Sequence, residues 1–162
     1  MSALSPHVKK VVAVTHAATG TATFGGMALL PTIATQPLLC LLMSAFVVLT
    51  GFICSRVRAQ AVRRELPDLP AQGSPPWRLL QQEYAKEFSR QQTVFLCLGM
   101  VSIFLPLLGI LAETLVNVDL SPSVTRVMAR LTIAVISGIA FGVFVGSQQL
   151  RFLDFIQRRL PH

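Results

Sequence analysis

Polar and charged positions along the chain fall in clusters, separated by long apolar stretches. No Lys, Arg, Asp or Glu occurs from Val11 to Ser55, from Thr93 to Ala112, or from Leu131 to Leu150. A helix that crosses the hydrocarbon of a bilayer needs about 20 predominantly apolar residues. The second and third stretches each match one crossing, and the first is long enough for two. A turn must therefore divide the first stretch. Pro31-Thr-Ile-Ala-Thr-Gln-Pro37 supplies it, with a proline at each end and polar residues between. The pattern predicts spans over about 11–30, 37–55, 93–115 and 127–150. The expected fold is an all-α integral membrane domain of four transmembrane helices, arranged as two antiparallel hairpins. Three stretches of membrane length are too many for a chain of 162 residues to bury in a soluble core.

Residues 56–92 form the polar interval between the second and third spans. Arg56, Arg58, Arg63 and Arg64 open it as a helical extension of the second span. Four prolines between Pro67 and Pro76 then mark a linker over 66–76. Ser74 is a candidate helix cap, with Pro75 and Pro76 at the first helical positions. Trp77, Leu80, Tyr84 and Phe88 follow helical spacing, which predicts an amphipathic helix over 77–91. Such a helix suits the lipid–water interface, with Arg56, Arg58, Arg63, Arg64, Trp77, Tyr84 and Phe88 facing lipid. It equally suits packing on a partner or on the end of the bundle itself.

Charge then orients the spans. Of the 14 Lys and Arg residues, 12 lie at the N-terminus, in the central interval or at the C-terminus, and only Arg126 and Arg130 lie on the other face. By the positive-inside rule both ends and the central interval are cytoplasmic, or face a matrix or stroma. The first span is the least apolar. A secretory signal peptide is the alternative there, with Lys9 and Lys10 as its charged region and a cleavage site near Ala22. Thr15, His16 and Thr19 interrupt the apolar region which that reading needs. The net charge of +7 flanks membrane segments, so anionic lipid headgroups are its expected counter-charge and no nucleic acid is implied.

Small residues recur at every fourth position in two spans: Ala18, Ala22 and Gly26, and Ala134, Gly138, Gly142 and Gly146. Such stripes let helix backbones approach closely. The two are expected to meet, or one of them to pair copies of the chain. Pro106 is expected to kink the third span.

Candidate chemistry is sparse. Ionisable groups within spans are expensive and so mark possible sites. His16 is one, as a cofactor ligand or as a hydrogen-bonded structural residue. Glu113 is the other, expected to pair with Arg126 and Arg130 as an outer ion-pair cluster, or to serve as a proton or cation site. Cys40, Cys54 and Cys97 are dispersed, which argues against a disulfide framework or zinc site; Cys54, two residues before Arg56, is expected to be a plain buried thiol, with palmitoylation the alternative. No catalytic constellation, metal cluster or cofactor motif is legible. His16 followed by Gly25-Gly26-Met27 resembles the first span of several small four-helix membrane families, and no function is carried over from it. The expected function is a non-catalytic accessory, assembly or scaffold subunit, bound to other membrane subunits or to its own copies. The alternatives are a small oligomeric transporter using Glu113 and the Pro106 kink, and a redox or pigment subunit with His16 as ligand.

Overall fold

The structure is a computed structural model and describes residues 4–33, 36–116 and 124–159. The described residues form four helices and no strand: α1 (Pro6–Ile33), α2 (Pro37–Glu65), α3 (Pro75–Val116) and α4 (Val124–Arg159). Two of them, over Pro37–Glu65 and Arg126–Arg159, are long and apolar enough to cross a membrane.

Each of the first three helices starts on a proline. Its missing N–H costs nothing there, because the first helical N–H groups have no partner within the helix. Ser5 caps α1: its Oγ accepts from the Val8 N–H at 3.3 Å and its carbonyl from the Lys9 N–H at 3.1 Å. Ser74 caps α3 in the same way, accepting from the Trp77 N–H at 3.4 Å. Gly73, just before it, has φ +84, a conformation open to glycine and strained for most other residues.

Glu65 closes α2 and also serves α1. Its carboxylate accepts from the Ser5 N–H at 2.5 Å and from the Ser5 hydroxyl. A negative charge belongs at a helix N-terminus, where unpaired N–H groups and the helix dipole are positive. The start of α1 and the end of α2 are thereby tied together. Leu4, Val8, Val12, Val62, Leu66 and Leu153 bury a core around this junction.

α1 packs against both α2 and α4, and α3 packs against α4. α1 and α4 run antiparallel. Val12 lies beside Leu153 near one end, and Phe24 and Ala28 lie beside Ala134 and Leu131 near the other.

The predicted amphipathic helix and third span adjoin within α3, separated by a kink. The residue with non-helical angles is Phe88 (φ −113, ψ 16), where the amphipathic segment ends. The backbone is helical through Pro106, whose side chain lies outside the described residues, as does that of Glu113.

Candidate functional site

The α1–α4 seam is set by backbone contact. A Cβ added at Gly138 would lie 2.6 Å from the Gly20 carbonyl oxygen and 2.7 Å from Thr21 Cα. One added at Gly142 would lie 2.6 Å from Ala17 Cα. Real side chains do not approach so closely, so each glycine fixes the distance between the helices. Ala134, buried on the same face, packs with Phe24 and Ala28. At Gly146 the helices are less close, and an added Cβ would make ordinary contact with the His16 side chain at 3.5 Å.

The α4 stripe therefore faces α1, but Gly26 of the α1 stripe is not against it. The α1 residues against it are Ala17, Gly20, Thr21, Phe24 and Ala28. Gly26 is turned to α2, where a Cβ would lie 3.1 Å from a Val47 methyl. Ala18 and Ala22 stay partly exposed. Antiparallel packing selects one face of α1, and the selected face carries Gly20.

His16 sits at the foot of this seam, in a three-helix polar cluster. Its Nε2 lies 2.6 Å from Gln149 Oε1 on α4, and its Nδ1 lies 3.3 Å from Arg58 Nη1 on α2. A guanidinium only donates. Nδ1 therefore accepts, the ring proton sits on Nε2, and Nε2 donates to the Gln149 carbonyl oxygen. Both ring nitrogens are used within the chain.

Arg58 was expected to face lipid, yet it turns inward and is half-buried. Arg56, Arg63 and Arg64 are exposed, with the Arg56 guanidinium 5.1 Å above the Phe52 ring. Beside the cluster lies a cavity of about 360 Å³. Arg58, Arg63 and Gln149 line it from the helices, and Leu69, Gln72 and Trp77 from the linker and the start of α3.

Trp77, Tyr84 and Phe88 were also candidates for a lipid-facing surface. They pack instead on the C-terminal end of α4. Trp77 meets Phe152 edge-on at 5.3 Å between ring centroids, and Tyr84 meets Phe152 at 5.1 Å and Phe155 at 5.4 Å. Burial in this cluster pushes the Tyr84 phenol above its usual pKa, because the phenolate would lose its water; the nearby Arg151 charge acts weakly the other way. Arg159 closes the seam from outside, 2.5 Å from Glu83 and 3.3 Å from Glu87.

The expected outer cluster falls on Glu113, whose side chain lies outside the described residues, so its pairing with Arg126 and Arg130 has no structural account. Gln149 and Ser5 had no role in the sequence reading. Their partners are 133 and 60 positions away, and no local pattern announces either pair. No family model, curated protein or solved structure matches this chain.

Proposed function

We propose that the protein is a non-catalytic, multi-pass membrane protein that serves as an accessory, assembly or scaffold subunit of a membrane complex. In this reading all four helices cross, and both ends lie on the cytoplasmic or equivalent side. One observation carries it: large apolar side chains cover the outside of the helices, while glycines line the seam between α1 and α4. Leu38, Leu41, Val48 and Phe52 on α2, Leu96 on α3 and Ile136 on α4 are exposed, while Gly20, Gly138 and Gly142 are buried. Water penalises such a surface, and a soluble monomer rarely carries apolar patches of this extent. Lipid accepts it.

The antiparallel course of α1 and α4 supports an even number of crossings. The polarity of α1 is compatible with a span, since the helix lies between two others. Three of its hydroxyls are also satisfied internally, with Thr15, Thr19 and Thr23 bonding to carbonyls one turn back at 2.7, 2.8 and 2.9 Å. The two used nitrogens of His16 favour a structural histidine over a pigment or haem ligand. The apolar face of α2, with no helix packed on it among the described residues, is where this reading seats a neighbouring subunit.

Purification from membranes in a mild detergent tests the proposal. The expected result is a complex of defined stoichiometry containing at least one other membrane protein. Recovery as a lone monomer would overturn the subunit reading. Recovery without detergent would overturn the membrane reading as well.

A further inference from the structure

We infer that the cavity between α2, α4 and the linker is a binding site for a phosphate group, held by Arg58 and Arg63. The argument starts from charge. Both arginines line the cavity, and none of its lining residues is acidic. Among the described residues the one hydrogen-bond partner of Arg58 is His16 Nδ1, a neutral acceptor reached by a single nitrogen of the guanidinium. A half-buried cation with no carboxylate beside it calls for an anion.

The shape of the donors indicates which anion. A guanidinium presents a planar fork of N–H groups that matches paired oxygens of phosphate. The contact with His16 restrains the Arg58 guanidinium, which reduces the freedom lost when a ligand binds. Gln149 spends its carbonyl oxygen on His16, and its amide N–H groups, unpartnered among the described residues, remain as neutral donors. Two guanidiniums and an amide suit the several oxygens of a phosphate better than the two of a carboxylate. At about 360 Å³ the cavity falls at the lower end of the small-molecule range.

The phosphate belongs either to an anionic phospholipid headgroup or to a free phosphate ion. The lipid source rests on the proposed membrane placement, since the cavity lies at the basic end of the bundle. The free-ion source does not.

Trp77 is the chain's single tryptophan and lines the cavity, so its emission reads occupancy. The full-length protein in a neutral detergent is titrated with inorganic phosphate and, separately, with a short-chain phosphatidylglycerol. Sodium chloride at matched ionic strength is the control. The expected result is a saturable change with at least one phosphate probe and none with chloride. Loss of a charge-assisted contact should weaken binding about tenfold in Arg58→Gln and several-fold in Arg63→Gln. Arg64→Gln, on a separate groove with Ser5 and Val57, should bind as the wild type does. Saturation by both probes assigns the site to the phosphate group itself. Saturation by the lipid alone assigns it to a headgroup, and saturation by the ion alone to free phosphate. Absence of a saturable response to either probe would overturn the inference, as would unchanged affinity in both arginine variants. Should Arg58→Gln lose its helical circular dichroism, Arg63→Gln decides, because that side chain is exposed. A response to inorganic phosphate would stand even if the membrane reading failed.

Discussion

α4 carries two seams of opposite construction. Toward α1 it presents Ala134, Gly138 and Gly142, and the two backbones touch. Toward the start of α3 it presents Phe152 and Phe155, and aromatic side chains hold the helices through their rings. The first seam lies along the apolar length of α4, and the second beside its arginine-rich end. The difference follows from the solvent each region meets in the proposed placement. In hydrocarbon, burying an apolar side chain gains little, because lipid is as apolar as leucine; close packing of backbones gains more. In water, burying a large aromatic surface is itself the driving force.

Three experiments test this contrast, in order of expected effect. Gly142→Leu should be the most damaging, because its side chain would enter the α1 backbone at His16 and Ala17. We expect a loss of about 3 kcal/mol or more, at the upper end of overpacking costs, measured by reversible unfolding in mixed micelles. Gly51→Leu, where an added Cβ meets nothing within 4 Å, should stay within about 0.5 kcal/mol of the wild type. Equal effects at the two glycines would remove the argument for a backbone seam.

Phe155→Ala should cost about 3 kcal/mol, the lower end for a truncated phenylalanine, and the damage should be local. Hydrogen exchange should rise over 75–88 and in the linker, while α1 and the middle of α4 stay protected. Uniform loss of protection would mean that the two seams fold as one unit.

The smallest effect is spectroscopic. Tyr84 is the only tyrosine, so its absorbance near the phenolate band reports this seam alone. Burial disfavours the charged phenolate, so the titration midpoint should lie above that of a free phenol. In Phe155→Ala the ring regains water and the midpoint should fall back. An ordinary midpoint in the wild-type protein would place Tyr84 outside the cluster.

Parts of this arrangement were legible from local pattern. The α4 stripe has one small face, so Gly138 and Gly142 could be picked out without knowing their partner. α1 has small residues on several faces, among them Ala17, Ala18, Gly20, Ala22 and Gly26. Every-fourth-residue spacing singled out Ala18, Ala22 and Gly26, while the α4 glycines lie against Ala17, Gly20 and Thr21. Spacing alone does not rank faces of similar size; the partner's shape does. The helical spacing of Trp77, Tyr84 and Phe88 predicted one apolar face, but periodicity does not say whether lipid or protein covers it. The end of α4 covers it here.

The sequence by itself determined that the chain is helical and where α2 and α3 begin, but not the starts of α1 and α4 or the reach of α2 to Glu65. Helix formation is local, depending on hydrogen bonds four residues apart and on caps such as Ser5-Pro6 and Ser74-Pro75 that satisfy the first N–H groups. It also determined the charge asymmetry, which is a matter of counting. Only the tertiary structure decided that His16 meets Arg58, 42 positions on, and Gln149, 133 positions on, and that Glu65 caps a helix 60 residues before it. Those contacts depend on the antiparallel register of α1 and α4. That register is set by where two glycine-bearing backbones can come close, which neither helix specifies alone.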